Sequence, residues 1–548
     1  MKKVLRIHPD DDLGVALTDL RAGETVTLGD TTIVIADDVK SKHKFALQDF
    51  QKGEEVHMYG LIVGTAKYDI KKGQVLTIFN LAHKSEKFSS EIQGKFHWTA
   101  PDVSKFKDKE FMGYHREDGQ VGTGNYWLVF PLVFCENRNI ETIKTAFEKG
   151  LGMERQDSYT QLVTQLVSSY QSDNFDIDSI DFTAETKTNV KPRIFENIDG
   201  IRFLTHQGGC GGIRQDSETL CRLLAGYVNN PSVAGATVLS LGCQNAQTEM
   251  LQNAFDAINP NLKKPVIIFD QQQTGKETDL IQNAITGTFK ALIEANKEVR
   301  KPAPLSKLVV GLECGGSDGF SGISANPAVG YVSDLVVALG GKAILSEFPE
   351  LCGVEQELIN RTVDQKDATK FASIMRAYEK AAEDSGSGFD MNPSPGNIKD
   401  GLITDAMKSA GAAKKGGTSP VVAVLDYTEY AMKPGLNLLC TPGNDVESTT
   451  GLAGSGANVI LFTTGLGTPT GNPITPVLKV SSNTALAERM PDIIDIDTGP
   501  VIRGEKTIEE MGEQMLNHII EVASGRIESK AMILGQYDFI PWKRGVSL

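Results

Sequence analysis

Residues 307–350 read KLVVGLECGGSDGFSGISANPAVGYVSDLVVALGGKAILSEFPE. An apolar, β-branched run stops in a loop of glycines that carries an acid, a thiol, a serine and a second acid. DLVVALG continues a helical pattern, and KAILSEFPE is another short strand ending in polar residues. Strand, polar loop, helix and strand make the repeating unit of a parallel α/β sheet. Ligands of such sheets bind beyond the carboxyl ends of the strands. The loop after Val310 is therefore expected to form one wall of a site.

The unit recurs at ATVLSLGCQN (236–245), KPVIIFDQQQTG (264–275), PVVAVLDYTEY (420–430) and NVILFTTGLGTPTGN (458–472). The polar loops at 243, 270, 313, 347 and 463 are expected to emerge on one edge. Upstream, LRAGETVTL, FQKGEEVHMYG and IKKGQVLTIFN each set a glycine turn before an alternating run, which is strand punctuation. They predict a small β-rich domain over 1–83. Residues 84–110 are polar and lysine-rich, as a linker would be. GYHREDGQVGTGNYWLVFPLVF (113–134) opens a second domain, read as 111–250, with 251–548 as the third. The polar stretch 171–192 reads as a surface excursion of the second.

The 548 residues carry a net charge of −15, with 40% hydrophobic and 23% charged residues. A surface that acidic repels phosphate backbones and anionic lipid, which argues against nucleic acid and membrane as partners. No window reaches the ~18 apolar residues of a membrane span, and the first residues lack the apolar run of an export signal. The seven cysteines are then expected to be reduced thiols in a cytoplasmic protein.

FLTHQGGCGG (203–212) sets His206 and Cys210 in a glycine loop; His206 is a proton-transfer candidate or a hydrogen-bonded structural residue. Cys210, Cys243 and Cys314 each follow an apolar run. They could ligate iron or an iron–sulfur cluster, or be small apolar residues at tight turns. Glu313 and Asp318 suit a divalent cation or acid–base work, with helix capping by Ser317 or Asp318 as the plainer reading. Arg116, in HREDGQVGTGNY with Asn125, could fork onto a carboxylate or form a salt bridge. FTTGLGTPTGNP (462–473) offers hydroxyls and an amide to a polyol or carboxylate, and no nucleotide fingerprint is present.

The stretches HKFAL (43–47), GYHREDGQVGTGNYW (113–127), THQGGCG (205–211), LGCQ (241–244), ECGGSDGFSGISANPAVG (313–330), KGGTSP (415–420) and ANVILFTTGLGTPTGNP (457–473) together resemble the altronate/galactarate dehydratase family. The resemblance covers nearly the whole chain and is weakest over 171–192. It implies a small N-terminal β-rich SAF domain, a middle α/β domain and a C-terminal Rossmann-like parallel α/β domain. It implies loss of water from a hexonic or hexaric acid with Fe2+, or another divalent cation such as Mn2+. GTPTGNP resembles the altronate branch, in which D-altronate becomes 2-dehydro-3-deoxy-D-gluconate in hexuronate breakdown. Galactarate is the alternative substrate, and a non-catalytic sugar-acid binding protein is a further reading. The family pattern DGRxGTRNY is DGQVGTGNY here, so Gln120 and Gly124 replace two arginines, and the loss of a distal carboxylate grip favours a monocarboxylate. The expected roles are His206 as base or acid with Asp318 as its partner, and His43 and Glu313 as metal ligands, with Cys210, Cys243 and Cys314 as alternatives. Arg116, Asn125, Ser317, Thr468 and Asn472 are expected on substrate. The expected partner is the small sugar acid itself, and a homo-oligomer is compatible with the sequence.

Overall fold

A computed structural model describes residues 2–152, 158–171, 177 and 193–548. Most of the excursion expected at 171–192 lies outside the described residues. The N-terminal domain is built from short strands between Val4–Leu5 and Leu81–Ala82, in small antiparallel sheets. The repeated motif is one turn used three times. Gly23, Gly53 and Gly73 have φ of 83°, 90° and 84°, a region open to glycine. The next side chain, Glu24, Glu54 or Gln74, bonds back to the amide three residues earlier.

The middle domain is a four-stranded parallel sheet in the order Gly200–Phe203, Tyr126–Pro131, Val233–Ser240 and Val266–Asp270. This corrects the expected boundary at 250/251. Val266–Asp270 pairs with Val233–Ser240, so the second domain runs on through the helix Glu277–Ala295. It also divides the loops expected on one edge: those at 243 and 270 leave the middle sheet, and those at 313, 347 and 463 leave the C-terminal one. Residues 84–110 are an extended strap rather than a free linker, with Ser89 bonded to Gln356 and Trp98 to Thr418.

The C-terminal domain is a seven-stranded parallel sheet in the order Val421–Leu425, Gly435–Leu439, Lys342–Leu345, Val309–Cys314, Val459–Thr464, Val477–Ser481 and Ile496–Asp497. The strands are almost wholly buried because helices cover both faces. Ala325–Ala338 and Ile508–Ala523 pack on the Leu312 face, and Asp445–Gly454 packs on the other. That last helix also joins the domains by lying against Arg214–Asn229. A Cβ on Gly226 would stand 2.0 Å from the Gly454 carbonyl oxygen, so only glycine allows this approach. Among the described residues no helix is long and apolar enough to cross a membrane.

Candidate active site

From Val309–Cys314 the chain builds outward on one side to Lys342–Leu345 and later returns to the other side as Val459–Thr464. The crevice between those two carboxyl ends is the topological switch point, where open α/β sheets take their ligands. Its two loops interlock: Gly315 N bonds Thr463 O at 3.0 Å, and Gly465 N bonds Gly316 O at 3.0 Å. The glycines are there because carboxylates come close. A Cβ on Gly315 would meet Asp445 Oδ2 at 2.3 Å, and one on Gly465 would meet Asp318 Cγ at 2.2 Å.

Glu313 pairs in register with Phe462, and Phe462 with Lys479, so the three share a face under the helix Asp445–Gly454. Glu313 Oε2 accepts from Ser346 Oγ (2.7 Å) and Ser448 Oγ (2.5 Å), while Oε1 has no partner. Burial, and then the charge of Glu347, raise its pKa well above the usual range, which favours the neutral acid. Its neighbour Cys314 lies between Lys415 Nζ (2.7 Å) and Glu350 Oε2 (3.0 Å). Lys415 also reaches Glu347 Oε2 at 2.8 Å, and Lys408 reaches Glu350 Oε1 at 2.5 Å. Burial works against both ammonium groups, but the surrounding acids outweigh it and keep them charged. Two ammonium groups thus balance two carboxylates. Glu347 sits at φ 66°, a left-handed conformation uncommon for a non-glycine residue, and such strain clusters at functional sites.

Asp445 stands apart. It is half-buried, opens the helix Asp445–Gly454, and its carboxylate makes no hydrogen bond among the described residues. Burial, and then Glu347 and Glu350, push its pKa up to about 7. Lys479, pushed down to about 8 by burial, has among the described residues only the Thr470 carbonyl as its hydrogen-bond acceptor and lies 5.2 Å above the Phe462 ring. Sequence reading missed both residues, as well as Glu347, Glu350, Lys408 and Lys415. SEFPE after its strand carried a signal for the two glutamates. PGNDVES and VLKVS carried none for Asp445 and Lys479.

The N-terminal domain covers the crevice, but with lysines rather than His43. Lys42 Nζ lies 2.9 Å from Asp318 Oδ2 and 3.3 Å from Asp400 Oδ1. Lys44 Nζ bonds Gly401 O at 2.6 Å, and burial pushes its pKa down to about 7 against the pull of Asp318. Asp318 also accepts from Ser321, Ser482 and Asn483, so both its oxygens are committed and it acts as a clasp. His43 is half-buried, with Nδ1 3.2 Å from Ser41 O, and burial lowers its pKa. Its neighbours are Lys40, Lys44 and Asp400, while those of Glu313 are Ser346, Ser448, Glu347 and Lys415. The expected pair of metal ligands is therefore not brought together.

Of the expected substrate residues, Ser317 and Thr468 border the crevice. Thr468 Oγ1 is 3.2 Å from the Cβ position of Gly316. Asn472 is buried between domains, donating to Tyr227 and the Thr449 carbonyl. Arg116 and Asn125 bond each other at 2.9 Å, and Arg116 also bonds the Pro231 carbonyl and Glu298. They precede the strand Tyr126–Pro131 and so lie at its amino end, with Gln120 and Gly124, away from the ligand edge. His206, expected at the chemistry, has both ring nitrogens engaged. Nε2 lies 2.8 Å from Pro131 O and Nδ1 accepts from Gly208 N at 3.1 Å, and burial pushes its pKa down to about 4. It is a neutral pin of the middle sheet. Cys210 and Cys243 are exposed in that same domain, remote in chain and sheet from buried Cys314. A cavity of about 700 Å³ lined by Asp497, Gln514, Glu521 and Arg526 lies against the far edge strand and shares no residue with the crevice.

Three family models match in chain order: the altronate/galactarate dehydratase SAF domain over 2–84, the D-galactarate dehydratase/altronate hydrolase second domain over 113–296, and the D-galactarate/altronate dehydratase C-terminal domain over 305–547. The chain is 32% identical over 530 residues to the altronate dehydratase of Bacillus subtilis (strain 168), covering 96% of each. It is 33% identical over 524 residues to the altronate dehydratase of Escherichia coli (strain K12), covering 95% of each. It is 30% identical over 530 residues to the galactarate dehydratase (L-threo-forming) of the same strain, covering 95% of this chain and 93% of that one. Fold, crevice and relatives together define a hydro-lyase that dehydrates a sugar acid. The chain belongs to the altronate/galactarate dehydratase family.

Proposed function

We propose that the chain removes water from D-altronate to give 2-dehydro-3-deoxy-D-gluconate in hexuronate breakdown. The observation that carries the reading is Asp445, an unbonded, half-buried carboxyl held near 7 at the switch point. A catalytic group works best when its pKa lies near the working pH. Asp445 takes the C2 proton and passes it to the departing C3 hydroxyl, which leaves as water. The enol left behind tautomerises to the 2-keto acid. Lys479 faces the substrate carboxylate, and Ser317 and Thr468 face its hydroxyls. Lys408 and Lys415 are already matched by Glu350 and Glu347, whereas among the described residues Lys479 bonds a carbonyl and no carboxylate. Two altronate dehydratases among the relatives support altronate as the substrate.

Fe2+, or Mn2+ in its place, is the cofactor proposed for activity, since a Lewis acid on the carboxylate eases loss of the C2 proton. The crevice does not fit it as a resident ion. Cys314, Glu347 and Glu350 offer donor atoms within 4.8 Å of one another, but the Lys415 ammonium fills the place a cation would take. The test is turnover of altronate, galactarate and mannonate by iron-loaded protein, followed by 2-keto acid release. A higher kcat/KM on galactarate would overturn the substrate.

A further inference from the structure

Three of the seven cysteines are exposed, Cys135, Cys210 and Cys243, and the other four are buried. The exposed three all belong to the middle domain, and each follows the carboxyl end of one of three adjacent parallel strands. Cys135 follows Tyr126–Pro131, the central one. Cys210 follows Gly200–Phe203 and Cys243 follows Val233–Ser240, its two neighbours. All three strands point the same way, so the thiol-bearing turns share one edge.

The turns are locked to one another by backbone. Phe134 N bonds Gly208 O at 3.1 Å, and Gly209 O accepts from Asn245 N at 2.9 Å and Ala246 N at 3.0 Å. Gly209, at φ 95°, presses so close to the next turn that a Cβ there would lie 2.0 Å from Leu132 O. His206 fastens the same loop from within, through Pro131 O and Gly208 N. The backbone thus uses its own polar groups to hold three small turns together, and leaves their thiols to solvent. A fold has no packing reason to do this, since free cysteine is by preference a buried residue.

We propose that Cys135, Cys210 and Cys243 are the thiolate ligands of an iron–sulfur centre, with one iron position left open to a substrate oxygen. Thiolate sets select zinc, copper(I) and iron–sulfur clusters. A single tetrahedral ion with metal–sulfur bonds of about 2.3 Å would need sulfurs about 4 Å apart. Among the described residues these three sulfurs do not form a group closed to within 4.8 Å, so they are not set for a single tetrahedral ion. The thiol edge is also tied by chain to the crevice end of the C-terminal sheet. The C-terminal residues run from Asp426 and Cys440 at the crevice end of their sheet to Gly211 in the thiol loop. This deepens the dehydratase reading, because it supplies the soft iron site that the lysine-filled crevice lacks.

The test is anaerobic purification of the full chain with assay of bound iron, acid-labile sulfide and visible charge-transfer absorption. Cys135→Ala, Cys210→Ala and Cys243→Ala are then compared with Cys221→Ala, a buried thiol of the same domain. The expected result is iron with sulfide in the wild type and the control, falling to background in each of the three variants while their melting temperatures hold. Zinc without sulfide, iron retained in the variants, or a disulfide within the trio in anaerobically isolated protein would overturn the proposal. So would undiminished turnover of altronate by protein free of iron, an outcome that leaves the altronate reading standing. An iron–sulfur centre without altronate turnover would do the reverse.

Discussion

The two parallel sheets end in similar glycine loops and settle their polar groups in opposite ways. At the C-terminal crevice side chains answer side chains: Lys415 bridges Cys314 and Glu347, Lys408 meets Glu350, and two serines hold Glu313. At the middle sheet backbone answers backbone, and the thiols remain outside. A network that neutralises itself is rigid and preorganised, but it has little room for a cation. A backbone scaffold with free donors is the reverse. The contrast matches the proposed division, with acid–base chemistry at the first sheet and a cofactor at the second. It also separates two carboxylates of one crevice, since Asp318 is saturated with donors and Asp445 has none among the described residues.

The hardest blow to this division is Asp445→Asn. It keeps size and helix position, so the fold should survive while turnover falls by about 10²–10⁴-fold, the share of a general acid–base group. In the parent enzyme kcat/KM should fall as pH drops through about 7, where Asp445 becomes protonated. Substitution should remove that limb, and an unchanged profile would exclude Asp445 as the base. The same group has a stability signature. Its folded pKa is raised, so its contribution is present at low pH and lost as pH rises through about 7.

Lys415→Met removes one side of a buried balance and leaves Glu347 unpaired, which should cost about 3–5 kcal/mol in denaturant unfolding. A loss under 1 kcal/mol would mean the crevice is not the closed network described. Lys42→Ala breaks the SAF clasp on Asp318. The expected cost is about 2 kcal/mol, as for a hydrogen bond to a charged group. Limited proteolysis should then cut the junction near residues 84–110 faster than the sheets. The smallest effect belongs to Glu313→Gln. Because burial favours the neutral form of Glu313 and its side chain is bonded only to hydroxyls, the near-isosteric amide should cost less than about 1 kcal/mol and leave bound metal unchanged. Loss of metal would return Glu313 to the ligand role that sequence reading gave it.

The sequence by itself determined the elements and their class. Period, β-branching and glycine punctuation are local properties, so KLVVGLECGGSDG could be read as a strand feeding a ligand loop and LRAGETVTL as a repeated turn. Seven ordered motifs were enough for the family. Which loops share an edge was decided by strand pairing alone. Val266–Asp270 joins Val233–Ser240, and no residue within either strand announces that partner. Residue chemistry failed for the same reason. His206, Arg116 and Asp318 looked reactive in isolation, and their folded neighbours satisfy every one of them. Asp445 and Lys479 sit in ordinary stretches and acquire their shifted acidities only from burial and charges brought from elsewhere in the chain. Secondary structure depends on neighbours in sequence, whereas acidity and ligand geometry depend on neighbours in space, and those exist only once the sheets have closed.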